Sequence, residues 1–204
     1  MNKRILIYIL VSLPILMGGS CEKRKYNFLS KVKMNKIYTF DNNGSYEKFA
    51  YISESDTRKF LDDLPKDAKV TDVKINSLSL KIIPGNGNDV GIVKLSGQLT
   101  ENTDDNNPQF IFTGNNYPVP VSGTAAMFVN INDLIEAGIN KAKKKIKNYI
   151  LKNEFGFFIL GIQAQPVSGN RLVLDITLNI DIQIEYEQCI EVWDYVSGGE
   201  KCNQ

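Results

Sequence analysis

The sequence predicts an α+β fold: a long, twisted antiparallel β-sheet packed against one long amphipathic helix, with one short additional helix. Three observations predict it. Arg171–Glu187 puts Leu172, Leu174, Ile176, Leu178, Ile180, Ile182, Ile184 and Tyr186 at every second position, with Asp175, Thr177, Asn179, Asp181, Gln183 and Glu185 between them. Side chains alternate across a strand, so one face is apolar and the other wet, as in an antiparallel sheet covered on one side. Residues Asn130–Asn153 repeat Ile131, Leu134, Ile135, Ile139, Ala142, Ile146, Tyr149 and Ile150 at helical spacing. The rest of the chain is short apolar runs punctuated by Asn, Gly and Pro, which read as strands and turns.

The amino terminus comes first. Lys3 and Arg4 precede the apolar run Ile5–Met17, and Gly18-Gly19-Ser20-Cys21 follows. A positive start, a short apolar core and small residues make an export signal, and the run is too short to span a bilayer comfortably. Ordinary cleavage would use Gly18 and Ser20 as its small positions. The segment LMGGSC also resembles the lipobox of bacterial lipoprotein precursors: Gly19, Ser20 and Cys21 match the small-small-Cys ending, and Gly18 stands where the usual Leu would be. That resemblance implies a type II signal peptide over residues 1–20, cleavage before Cys21, and a diacylglycerol thioether on its sulfur that palmitate would label. Two or three acyl chains anchor a protein stably where one does not. The expected address is an exported protein tethered to a membrane by lipid, at the outer membrane or cell surface.

Glu22–Met34 is basic and aperiodic, so residues 21–35 are expected to form a tether and residues 36–204 a single α+β domain. Lys23, Arg24, Lys25, Lys31 and Lys33 either reach anionic head groups or keep a linker solvated. Lys36–Asp41 and Glu47–Ile52 read as strands around Asn42-Asn43-Gly44-Ser45, a strong hairpin cue. Ser53–Leu64 reads as the short helix, capped by Ser53 or Ser55 and stopped at Pro65. Val70–Ile83 changes phase between Ile75 and Leu78, which predicts a bulge or bend near Asn76-Ser77. Val90–Thr100 is expected to return as its hairpin partner. Gln109–Thr113 is a short strand, and Tyr117–Val121 is extended by its prolines. Asn130 or Asn132 is expected to cap the long helix, with Lys141, Lys143, Lys144, Lys145 and Lys147 on its wet face. Phe155–Ala164 and the strand from Arg171 form a second long hairpin.

Lys plus Arg number 24 against 23 for Asp plus Glu, and loss of the leader removes Lys3 and Arg4, so a general nucleic-acid partner is not expected. The chain contains 0 His, which removes the commonest general base and transition-metal ligand. No Ser–His, Cys–His, Ser-x-x-Lys or phosphate-loop context appears. Asp104, Asp105 and Asn106 could offer oxygens to calcium, but their spacing is turn-like, and no metal or cofactor is expected. Asp175 and Asp181 lie on a solvent face and do not converge as glycosidase carboxyls would. If Cys21 carries lipid, Cys189 and Cys202 are an even pair that an oxidising compartment would join; two free thiols are the alternative.

These readings point away from an enzyme, with carboxylate or lysine chemistry the weakest of three readings, and favour a cell-envelope lipoprotein acting as a binding or assembly module, with the membrane and an envelope protein as partners. The alternative is a carrier of a lipid or other apolar ligand, lined by Ile135, Ile139, Ile146, Leu174, Ile176, Leu178 and Ile180. In layout, though in no motif, a long helix along long strands resembles tubular lipid-binding proteins.

Overall fold

A computed structural model describes residues 21–101, 108–120, 126–131, 133–152, 154–193 and 198–202, with the backbone alone at Cys21. Four features read above lie outside those residues: the leader 1–20, the acidic loop at Asp104, Asp105 and Asn106, the cap at Asn132, and Val121. The described elements are β1 (Cys21–Asn43), β2 (Tyr46–Ser53), α1 (Glu54–Arg58) with a 3-10 turn (Lys59–Leu61), β3 (Lys69–Pro84), β4 (Ile92–Thr100), β5 (Gln109–Pro118), β6 (Met127–Asn130), α2 (Glu136–Leu151), β7 (Phe157–Ser168), β8 (Arg171–Trp193) and β9 (Glu200–Lys201). The chain divides into two compact units. Of the described residues, those within Leu29–Leu64 and Val70–Tyr186 form the larger, and those within Met1–Phe28, Pro65–Lys69 and Glu187–Gln204 the smaller.

In the larger unit the strands form two sheets, ordered β6-β3-β8-β1 and β2-β7-β4-β5. The chain changes sheet at almost every connection, and β4–β5 is the pair of successive strands that hydrogen-bond to each other. This is the strand order of a jelly roll, two Greek keys in facing sheets. It corrects the predicted α+β class: what covers the apolar face of β8 is chiefly a second sheet. Leu172, Leu174, Ile176, Leu178, Ile180, Ile182 and Ile184 are buried in one core with Val93, Leu95, Leu99, Phe112, Phe158, Leu160 and Ile162 of the other sheet. The Tyr38 hydroxyl donates to the Leu160 carbonyl at 3.1 Å, tying β1 to β7 through that core. The physical reason is length. A helix of 16 residues is about 24 Å long at roughly 1.5 Å per residue. The buried run of β8 from Leu172 to Ile184 spans about 40 Å at roughly 3.3 Å per residue, more than the helix can cover.

The three predicted hairpins are sheet-to-sheet crossings instead. Gly44 turns with φ of 79°, a left-handed conformation cheap for glycine, and its N–H donates to the Asn170 carbonyl at 3.0 Å. The turn is real, but β1 and β2 leave it into different sheets, as do β3 and β4, and β7 and β8. Residues 21–35, expected as a tether, are the first part of β1. Val32 and Met34 share the inward parity of Tyr38 and Phe40, a phase that the surrounding lysines hide.

Ser53 caps α1 in a capping box: its hydroxyl accepts from the Asp56 N–H, and the Asp56 carboxylate accepts from the Ser53 N–H. The phase slip in β3 falls where expected, with Asn76 and Ser77 both exposed between buried Val73 and Leu78. The long helix is shorter than predicted. Met127–Asn130 pairs with β3, the Ile131 N–H bonds the Leu78 carbonyl, Leu134 bridges to Phe112, and the Ile135 N–H bonds the Ile111 carbonyl. Ile131, Leu134 and Ile135 therefore sit in extended chain despite their helical spacing, because neighbouring strands take their backbone bonds. The helix starts at Glu136 with no side-chain cap. Gly138 passes against β5, where a Cβ would lie 2.2 Å from the Phe110 carbonyl oxygen. Two pairs of lysines hold its flanks: Lys143 and Lys147 reach Asp72 on β3, and Lys141 and Lys145 reach Glu101 after β4.

In the smaller unit, β9 pairs with β1 at Arg24↔Lys201 and Lys25↔Glu200, and the Cys202 N–H donates to the Lys23 carbonyl at 3.1 Å. Cys189 and Cys202 are joined by a disulfide. Glu22 pairs with Arg24 and Lys201, and Lys25 with Glu187 and Glu200.

Candidate functional site

The outward face of the β2-β7-β4-β5 sheet carries an unusual concentration of aromatic side chains. Inward positions on β7 are Phe158, Leu160, Ile162 and Ala164, so Phe157, Ile159, Gly161 and Gln163 point out by alternation. Pairing sets their neighbours. Phe49 lies opposite Gly161, Tyr51 opposite Ile159 and Ser53 opposite Phe157. On the other side Gln98 faces Gly161 and Phe110 in turn faces Gln98. Phe49, Tyr51, Phe110 and Phe157 are each between 43% and 53% exposed, while Ile159 among them is fully covered. The Tyr51 and Phe157 rings meet edge to face at 5.4 Å, a favoured aromatic geometry.

A polar centre interrupts this apolar surface. The Glu47 carboxylate accepts from the Gln98 amide above Gly161. A Cβ on Gly161 would stand 3.0 Å from the Glu47 carboxylate and 3.1 Å from the Phe49 ring, so the close fit needs a residue without a side chain. Partial burial raises the Glu47 pKa, and the Gln98 bond opposes that shift. Ser96 and Gln163 extend the polar strip. Chemically the face offers half-exposed rings and a few oriented amide and carboxylate groups.

A second feature is a groove of about 460 Å³ beside β1, lined by Lys31, Lys33, Lys36, Asp56, Lys59 and Asp63, among others. Lys36 pairs with Asp56 at 3.2 Å. Burial tends to raise the Asp56 pKa, and the bonds from Ser53 and Lys36 outweigh it, leaving the carboxyl below its ordinary value. Asp56 thus already serves as helix cap and lysine partner.

The sequence-predicted residues are distributed as follows. Cys21 is the first residue of β1. Of the apolar lining proposed for a carrier, Ile139, Ile146 and Ile180 meet around one gap with Leu78, Ile111 and Phe158, whereas Leu174, Ile176 and Leu178 belong to the wider core. Ile135 is in extended chain before α2. The gap measures about 10 Å³, at most the room of a single water. Asp175 and Asp181 do not converge. Thr39 donates to Asp175 at 2.7 Å and Ser77 to Asp181 at 2.7 Å, so both carboxylates belong to side-chain ladders across β8. Lys74–Glu185 and Asn76–Gln183 continue that ladder. The aromatic face was not anticipated. Its signal lay in the odd parity of Phe49, Tyr51 and Phe157, opposite to the buried Ile52 and Phe158.

Among the described residues no group of three or more His, Cys, Asp or Glu side chains is arranged to hold a metal ion. No described helix is long and apolar enough to cross a membrane.

No protein family and no curated protein matches the chain. Among solved structures it is similar to the empty head of turnip yellow mosaic virus, at TM-score 0.37 and 9% identity over 84% of this chain and 86% of that one. The infectious bursal disease virus Gx strain follows at TM-score 0.35 and 8% identity, over 87% of this chain and 40% of that one. The decameric BFDV capsid protein matches at TM-score 0.30 and 8% identity, over 78% and 99%.

Proposed function

We propose that the protein is a cell-envelope lipoprotein, tethered through Cys21, that works as a non-enzymatic binding or assembly module. The observation that carries the binding role is the aromatic outer face of Phe49, Tyr51, Phe110 and Phe157. Half-exposed rings grouped on one sheet face are what protein interfaces bury, with Tyr and Phe enriched there. The partner is a protein of the same compartment. The leader-like residues 1–20 support export, and the Cys189–Cys202 disulfide suits an oxidising compartment. A carrier role would require α2 to lift away, because the helix–sheet seam has about 10 Å³ to spare.

A photo-cross-linking amino acid placed at Tyr51 in living cells tests the contact face. The expected result is a discrete cross-linked protein that disappears when Phe49→Ala and Phe157→Ala are combined. The reading fails if position 51 captures nothing beyond what a probe at Asp175, on the outer face of the other sheet, captures. The tether is tested separately: Cys21→Ser should abolish palmitate labelling and leave the precursor unprocessed.

A further inference from the structure

Trp193 is the chain's single tryptophan. It is the last residue of β8 and is 50% exposed. Its surroundings follow from how β8 runs beside β1, its neighbour in the sheet. Thr39 bonds Asp175, Lys33 approaches Asp181 at 3.9 Å, and Lys25 approaches Glu187 at 3.8 Å. Numbers fall on one strand as they rise on the other, so the two are antiparallel. Outward from the Lys25–Glu187 pair, β1 ends at Cys21 and β8 ends at Trp193. At roughly 3.3 Å per residue the two ends lie within about 7 Å of each other along the strands. The indole and the attachment residue thus share one end of the smaller unit, and no tether separates Cys21 from the folded strand.

The charges at this end are turned on one another. Glu22 takes Arg24 and Lys201, with the Lys201 contact at 2.8 Å, and Lys25 takes Glu187 and Glu200. The basic stretch after Cys21 is therefore largely neutralised within the unit. Tryptophan is the side chain that most favours the membrane–water interface, with an apolar body and one N–H donor.

We propose that Trp193 seats in the head-group layer of the lipid bilayer beside the acylated Cys21, so that this end of the smaller unit is a membrane-contact surface. The inference rests on the lipid anchor at Cys21. It adds that the contact is aromatic and holds for a zwitterionic surface. An acyl chain at Cys21 brings the β1 end to the bilayer, and the antiparallel pairing brings Trp193 with it.

Because the chain has one tryptophan, its fluorescence reports on this site alone. Full-length lipidated protein is reconstituted into phosphatidylcholine vesicles whose acyl chains carry bromine close to the head group, and palmitate labelling is measured on the same preparation. The expected result is a blue-shifted emission that loses about half its intensity to the shallow bromines, as for an indole at the interface, with protection from acrylamide in the water. Equal quenching in vesicles containing anionic phosphatidylglycerol is also expected. A labelled preparation whose emission stays at its water value overturns the proposal alone. Quenching found only with the anionic lipid also overturns it, in favour of charge attraction. A preparation without palmitate removes the anchor and the proposal with it.

Discussion

The two units are held together by different forces. Every buried apolar side chain of the described residues lies in the larger unit, from Met34 to Ile184, and none lies in the smaller one. The larger unit has facing sheets whose inner positions exclude water. The smaller has a disulfide, a two-pair β-bridge and ion pairs on partly exposed side chains. Exposed ion pairs each contribute little, about 0–1 kcal/mol. A piece of chain too small to bury a core needs a covalent staple, and Cys189–Cys202 supplies one. The lesson is that stability in one region should answer to volume and in the other to redox state.

The largest expected effect tests the core. Phe112→Ala should cost about 4 kcal/mol, read as a fall in the urea midpoint; a loss below about 1 kcal/mol would mean that the sheets are not packed through this ring. Next comes the staple. Reduction, or Cys189→Ala with Cys202→Ala, should release a constraint of about 3 kcal/mol in the chain-entropy model. Amide exchange at residues 22–25 should speed up while residues 172–184 keep their protection. Equal loss in both regions would erase the contrast.

Gly138→Ala sharpens the first region. Alanine favours a helix over glycine by about 1 kcal/mol, yet the Cβ would meet the Phe110 carbonyl. A net loss of about 2 kcal/mol in thermal melts is expected from overpacking, and stabilisation would show that α2 rides free of β5. The smallest effect concerns charge in the larger unit. The bond from Lys147 holds the Asp72 carboxyl below its ordinary pKa, against the opposing pull of burial. A folded-state pKa that is depressed stabilises above the unfolded value, and the gain disappears as pH falls through the lowered one. Asp72→Asn should therefore cost about 0.5 kcal/mol at neutral pH and converge with wild type in acid, as urea midpoints at both pH values would report.

Several elements were legible because local pattern and burial agree. The alternation from Leu172 to Ile184 is the inner face of β8, the slip at Asn76-Ser77 appears where the parity breaks, and Ser53 is a cap. Other elements were hidden by competing signals. Lys31, Lys33 and Lys36 around Val32 and Met34 masked the inward parity of β1. The spacing of Ile131, Leu134 and Ile135 imitated a helix, while the backbone there bonds to Leu78 and Ile111. At the candidate site, Phe49, Tyr51 and Phe157 have the parity opposite to buried Ile52 and Phe158, a signal that the apolar character of both faces of Phe155–Ala164 obscured, and strand pairing was needed to set them side by side and add Phe110.

By itself the sequence determined the course and the apolar parity of β3, β4 and β8, where α1 is capped and where Gly44 turns, because alternation, capping and φ are properties of neighbouring residues. Tertiary structure alone decided that β1 and β2 part at their turn, that a second sheet covers most of β8 and α2 only part of it, and that four aromatic rings share an outer face. Those outcomes depend on which of several amphipathic strands meet. Any apolar face of suitable length can satisfy another, so the choice rests on the packing of the whole set.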